Sequence, residues 1–205
     1  MEKLKKIALI ITSINKPNEA IKKYHSLSKK NKVNFIIIGD KKTPDYPSKY
    51  NFYNLKSQKN LNFSLNKSLP INSYSRKNIG FLIAMQKNSK IILETDDDNY
   101  PKNTFFHNLE LQKKIKLLSG PKWINIFKIF KKKNQDTIWP RGFPLDEINK
   151  FHQMKISEKL ITSPIQQRLC DGNPDVDAIF RLTKKNKFHT FEKKNYAISN
   201  KSICP

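Results

Sequence analysis

Three short β-branched runs decide what this chain can fold into: Ile7-Ala8-Leu9-Ile10-Ile11, Phe35-Ile36-Ile37-Ile38 and Ile91-Ile92-Leu93. Each is apolar on both faces and closed by polar or turn-forming residues, the pattern of a strand covered from both sides. Between them the spacing turns helical. Asn18 is placed to cap a helix running to about residue 30, and residues 76–87 carry apolar side chains at Ile79, Leu82, Ile83 and Met85. With a short third strand at residues 50–55, the first half reads β-α-β-(β)-α-β. That alternation predicts an α/β fold with a mainly parallel sheet, whose ligands bind at the carboxyl ends of its strands. The residues that matter for function are therefore expected just after each strand.

The second half is less regular. Residues 123–130 read as a strand, residues 144–151 as a helical turn or two, and residues 174–182 as a short helix opening at Pro174 with Asn173 as its cap. Strand-like pieces at residues 188–191 and 196–198 close the chain. A length of 205 residues fits one domain, in two halves that divide at about residue 100.

Composition narrows the function classes. No apolar run approaches the roughly 20 residues of a membrane-spanning helix. Lys3, Lys5 and Lys6 precede the first apolar run, yet that run is short and no small-residue cleavage site follows, so it reads as a strand and not a signal peptide. The expected compartment is the cytoplasm. Cys170 and Cys204 have no metal-like spacing and read as free thiols. Lys plus Arg number 40 against 17 Asp plus Glu, a net charge of +23 that suggests a polyanionic partner. The excess is nearly all lysine, scattered in a chain also rich in Asn and Ile, and its densest cluster is only Lys131-Lys132-Lys133. No dedicated nucleic-acid binding is expected, although a positive surface would attract an anionic substrate.

Asp96-Asp97-Asp98-Asn99 follows the third apolar run directly. In extended backbone Glu94, Asp96 and Asp98 share a face, so two carboxylates can converge on one hard cation, Mg²⁺ or Mn²⁺. Such an ion neutralises a diphosphate as a leaving group. The plain alternative is a solvated turn that ends a strand, and the position on the sheet favours the metal reading. Arg76-Lys77-Asn78 opens a helix where basic side chains and backbone amides can meet phosphate oxygens. Asp40, ending the second strand, could hydrogen-bond a base or ribose, or form a turn with Gly39. Trp139-Pro140-Arg141-Gly142-Phe143-Pro144 is either a rigid packing loop or the setting for an arginine, and Asp175 and Asp177 sit where a helix dipole favours acids. No nucleophile-histidine-acid arrangement, Walker loop, GxGxxG or zinc spacing is present.

Six stretches together resemble a known family: residues 11–15, 38–44, Leu69-Pro70 with Tyr74-Ser75-Arg76-Lys77-Asn78-Ile79-Gly80, 94–99, 138–145 and 173–181 with Asn173-Pro174-Asp175-Val176-Asp177. In this order they look like the STELLO-type glycosyltransferase-like proteins and, more distantly, the reversibly glycosylated polypeptides that act as UDP-arabinopyranose mutases. The resemblance implies a GT-A-type, Rossmann-like nucleotide-diphospho-sugar transferase fold, a UDP-sugar donor, and Mn²⁺ or Mg²⁺ held at a DXD-like triplet by Asp96 and Asp98. It places Thr12 and Asp40 near the nucleotide and Arg76 near the diphosphate, with Lys77 and Asp97 among the nucleotide-sugar contacts. Arg141 matches the arginine that takes the sugar covalently in the mutases, and Asp175 or Asp177 would orient the sugar or serve as base. The expected reaction is transfer of a sugar to a glycan, surface polysaccharide or protein acceptor. A UDP-sugar mutase or self-glycosylating protein is one alternative, and a non-catalytic nucleotide-sugar-binding accessory protein is another. The family pattern continues past Pro205, so the acceptor side is expected to be incomplete here.

Overall fold

The computed structural model describes residues 6–132, 137–184 and 188–205. Lys3 and Lys5 ahead of the first run, and Lys133 of the lysine cluster, lie outside the described residues. The chain divides into two compact units, Met1–Asn108 and Leu109–Pro205.

The first unit is built on a four-stranded sheet of order β3-β2-β1-β4, parallel throughout. Its elements are β1 (Ile7–Thr12), α1 (Glu19–Lys30), β2 (Asn34–Ile38), β3 (Phe52–Tyr53), α2 (Leu55–Lys59), α3 (Lys77–Gln86) and β4 (Ile91–Asp96), with single 3₁₀ turns at Ser64–Lys67 and Tyr74–Arg76. The expected strand and helix order holds, and the architecture is the α/β, Rossmann-like one the resemblance implied. β1 is central because nothing polar interrupts it. Leu9 and Ile11 pack with Ile21, Tyr24 and Leu27 of α1 on one face, and Ala8 and Ile10 with Ile79, Ile83 and Ala84 of α3 on the other. Each such side chain, withdrawn fully from water, contributes roughly 1.5–3 kcal/mol before entropy is counted. Asn18 caps α1 as its position predicts, accepting from the Ile21 amide at 2.9 Å. Strand order reverses at β1, where β2 lies on one side and β4 on the other.

The second unit holds a three-stranded sheet of order β6-β5-β7: β5 (Gln112–Ser119) runs antiparallel to β6 (Lys155–Thr162) and parallel to β7 (Tyr196–Ile198). Its core gathers Phe127, Ile138, Val176, Phe180 and Phe191. Two expectations are corrected here. Residues 123–130 contain a helix, α4 (Ile126–Phe130), because Asn125 caps it by accepting from the Lys128 amide; Trp123 only bridges to Ile203. The last helix, α5, begins at Ala178 (Ala178–Thr183) and is capped by Asp177, not Asn173. Backbone pairing explains the delay: Val176 bridges to Pro140, and the Asp177 amide donates to the Trp139 carbonyl at 2.8 Å, so residues 174–177 are extended before the helix starts. Neither Cys170 nor Cys204 is in a disulfide. Among the described residues no helix is long and apolar enough to cross a membrane.

Candidate functional site

A cleft of about 490 Å³ opens beyond the carboxyl ends of β1, β2 and β4. Thr12, Ser13 and Ile14 line it from β1, Ile38, Gly39, Asp40 and Lys42 from β2, Asn72, Ser73, Tyr74 and Arg76 from the segment before α3, and Asp96, Asp97 and Asp98 from β4. This is the crevice at a topological switch point, where open parallel sheets bind ligands, and the volume suits a nucleotide-sized molecule. Thr12, Asp40, Arg76, Asp96, Asp97 and Asp98 are thus brought to one cavity from four chain segments.

The four acids at the end of β4 do different work. β4 ends at Asp96, so the strand alternation places Glu94 and Asp96 on one face but does not reach Asp98. Asp96 Oδ1 accepts from the Tyr74 hydroxyl and from Lys77 Nζ at 3.2 Å. Burial opposes ionisation of Asp96, but the Tyr74 and Lys77 donors outweigh it and hold the carboxyl below its usual range. Asp97 turns toward β1, where its Oδ2 accepts from Ser13 Oγ at 2.5 Å and Asn15 Nδ2 at 3.1 Å. Its backbone carbonyl accepts from Asn18 Nδ2 at 2.7 Å, tying the acidic turn to the cap of α1. Asp98 is exposed, and its carboxylate has no hydrogen-bond or ion-pair partner among the described residues.

The basic residues sit deeper than their sequence position suggests. Arg76 is 4% exposed, its Nε donating to Gln58 Oε1 at 2.8 Å and its Nη1 to the Leu69 and Pro70 carbonyls at 3.4 and 3.3 Å. Lys77 is equally buried, with its Nζ on Glu94 Oε2 at 2.7 Å and above the Tyr74 ring. Burial pulls the Lys77 amine down, and the bonds to Glu94, Tyr74 and Asp96 more than reverse that, leaving it raised. Asp40 accepts from the amides of Lys41 at 2.7 Å, Asn72 at 2.9 Å and Ser73 at 3.0 Å. Burial disfavours its charge, but these three amides and nearby Arg76 lower its pKa. Asp40 thereby fastens the 72–76 segment over the cleft.

Sequence reasoning missed Gln58 and underused Tyr74. Gln58 is fully buried, donates to the Gly39 and Tyr53 carbonyls at 2.7 and 2.8 Å, and holds Arg76 with its other atom. No local pattern marks it, since its partners are distant in sequence. Tyr74, 63% exposed, lies in a motif the sequence did supply.

In the second unit, Arg141 Nη1 meets Asp175 Oδ2 at 3.1 Å; both side chains are open to solvent, at 75% and 68% exposed. The backbone pairing of residues 139–141 with 175–177 makes this contact. Asp177 Oδ1 accepts from the Ile179 and Phe180 amides at 2.8 and 3.4 Å, so one of its oxygens is committed to the helix.

No protein-family model matches the chain. It is 28% identical over 198 residues to the probable glycosyltransferase STELLO1 of Arabidopsis thaliana, covering 89% of this chain and 25% of that protein. It is 27% identical over 201 residues to the probable glycosyltransferase STELLO2 of the same plant, covering 89% and 26%. The similarity read from the motifs therefore extends along nearly the whole chain, which spans about a quarter of the length of these relatives.

Proposed function

We propose that the chain is a glycosyltransferase that uses a nucleotide-sugar, most simply a UDP-sugar, with Mg²⁺ or Mn²⁺ at Asp96 and Asp98. The observation that carries this reading is the switch-point cleft, where Asp96 Oδ2 and the whole Asp98 carboxylate have no hydrogen-bond or ion-pair partner among the described residues, beside bound-in Arg76. The names of the two similar proteins support the same reaction class.

The donor set fits the cation. Among the described residues no three His, Cys, Asp or Glu side chains gather into a metal cage. Two carboxylates completed by diphosphate oxygens and water are, however, a common way to bind Mg²⁺ or Mn²⁺. When bound, such an ion supplies charge neutralisation of the departing nucleoside diphosphate. The protein's own residues do the rest. Arg76, fixed by Gln58, adds a positive charge on the cleft wall that needs no reorganisation when the leaving group becomes more anionic. Thr12, residues 38–40 and residues 72–73 line the cleft in which the nucleoside would rest. Lys42, exposed on the rim, and the overall positive charge draw the anionic donor in. The acceptor would be a glycan or a protein, and Asp175, free at one oxygen, is the candidate base in the second unit.

Calorimetric titration of UDP, UDP-glucose and UDP-galactose with Mn²⁺, repeated with EDTA and with Asp98→Ala, tests the donor site. Binding that requires the cation and is lost in the variant is expected; no binding to folded wild-type protein overturns the reading. Binding without turnover against an acceptor panel would favour a non-catalytic accessory role. A second reading, self-glycosylation or mutase chemistry, is favoured by the exposed Arg141 beside Asp175. It predicts a sugar adduct on Arg141 by mass spectrometry after incubation with UDP-sugars, and no adduct across a donor panel removes it.

A further inference from the structure

The Lys77 ammonium occupies a cage of four oxygens. Glu94 Oε2 lies at 2.7 Å, Asp96 Oδ1 at 3.2 Å and the Thr95 carbonyl at 3.5 Å, and the Tyr74 hydroxyl closes the fourth side. The lysine side chain is only 5% exposed, although Glu94 and Asp96 are 54% and 51% exposed, so the positive charge is fixed beneath two acids that reach solvent. Two carboxylates, a carbonyl and a phenol form the oxygen set that a hard divalent cation would take. Here a tethered monovalent cation fills it. Lys77 opens α3 and Arg76 ends the 3₁₀ turn just before it, so two adjoining residues supply both buried positive charges.

The arrangement changes what the acidic run can bind. Lys77 takes one oxygen each of Glu94 and Asp96, while Ser13 and Asn15 share one oxygen of Asp97. Asp96 Oδ2 and the Asp98 carboxylate line the cleft without a hydrogen bond or ion pair of their own among the described residues, and with the Lys77 charge fixed beside Asp96 they are a weak set for stripping a strongly hydrated ion of its water without help. The geometry points to Lys77 as a built-in counter-ion that keeps the cluster from holding a divalent cation by itself, so that the cation binds only together with the donor diphosphate. The second half of this statement rests on the donor reading given above; exclusion of the free cation does not.

The experiment is titration of Mn²⁺ alone, without nucleotide, into wild-type protein and Lys77→Met, followed by the signal of free Mn²⁺ in electron paramagnetic resonance and by thermal unfolding. Methionine keeps most of the apolar stem of lysine, ends one atom short of its amine and removes its charge, which opens the four-oxygen cage. Wild-type protein is expected to bind Mn²⁺ weakly, and Lys77→Met at least about tenfold more tightly, a difference of about 1.4 kcal/mol. Lys77→Arg, which keeps the charge, should behave as wild type. Adding Glu94→Gln to Lys77→Met should abolish the gain. Removing the buried cation that two half-exposed carboxylates face is destabilising, so Lys77→Met is also unfolded with and without Mn²⁺; a variant that folds only when Mn²⁺ is present supports the proposal. Unchanged Mn²⁺ affinity in folded Lys77→Met, tight Mn²⁺ binding by wild type, or a variant that stays unfolded with Mn²⁺ overturns it. Failure of the donor reading looks different: wild type then binds no UDP even with Mn²⁺, while the gain in Lys77→Met is untouched.

Discussion

Gln58 shows how one side chain without a catalytic role can set the site. Its amide hydrogens hold the ends of β2 and β3, and its carbonyl oxygen receives the buried Arg76 guanidinium. Truncation would strand two carbonyls and leave a buried charge with a donor unmet. Gln58→Ala is therefore expected to destabilise the protein by about 2–4 kcal/mol, read as a lower urea midpoint at unchanged slope. Asp40 gives the corresponding prediction for pH. Its folded pKa lies below the usual carboxylate value, so its contribution is present above that unfolded value and fades as pH falls through the folded one. Asp40→Asn should flatten the acid limb of a stability-against-pH curve below about pH 4 and leave the neutral-to-alkaline limb unchanged in shape. An acid limb identical to wild type would show that the amides of Asn72 and Ser73 do not depend on its charge. The sequence marked Asp40 and Arg76 by their places after a strand and before a helix. It did not reveal that Asp40 faces backbone amides or that Arg76 is buried, because Asn72, Gln58 and Pro70 meet them only through tertiary structure.

At the scale of elements, the packing of α3 on the sheet turns on Gly80. In a helix interior, alanine is ordinarily better than glycine by about 1 kcal/mol. Here an added methyl would sit 2.5 Å from Ile10 Cγ2 and 3.1 Å from Ile38 Cγ1. Overpacking of that kind costs about 1–3 kcal/mol and lifts the helix that carries Lys77. Gly80→Ala should therefore destabilise the protein, and a rise in its urea midpoint would show that α3 can move away freely. Asn18 couples α1 to the acidic turn in the same manner, accepting from Ile21 while donating to the Asp97 carbonyl. Asn18→Asp keeps the cap but faces that carbonyl with a carboxylate, so it should preserve much of the helix stability while weakening Mn²⁺-dependent UDP binding. Equal binding in the variant would separate the cap from the site. The first-unit elements were legible because β1, β2 and β4 are doubly covered and read as apolar runs, with Asn18 as a clear start signal. β5 and β6 were not, since Gln112-Lys113-Lys114-Ile115-Lys116 and Glu158-Lys159 place lysines and acids on strands that face solvent. The apolar run at residues 123–130 could not by itself separate a strand from the single helical turn that Asn125 caps.

For the molecule as a whole, charge is the term that acts everywhere at once. A chain of 205 residues with a net charge of +23 repels itself in the folded state more than in an expanded one. Its ion pairs do little to offset this, because pairs such as Lys22–Glu19 and Lys114–Glu158 are exposed and solvent screens them. Screening should therefore stabilise the fold. At about 0.1 M salt the Debye length is about 10 Å, shorter than the distances over which scattered lysines sum their fields. On the proposed donor reading, the same screening would weaken the attraction of an anionic donor to the cleft. Sodium chloride raised from low to moderate concentration should then increase the urea midpoint and lower the association rate of UDP in stopped-flow measurements, with dissociation changing less. The two trends have opposite signs and one origin. If stability fell with salt, the repulsion would be smaller than the favourable pairs, and the lysine excess would have to be neutralised by specific contacts. If the association rate were insensitive to salt, Lys42 and the local cleft charges would carry donor capture, and the remaining lysines would be irrelevant to it.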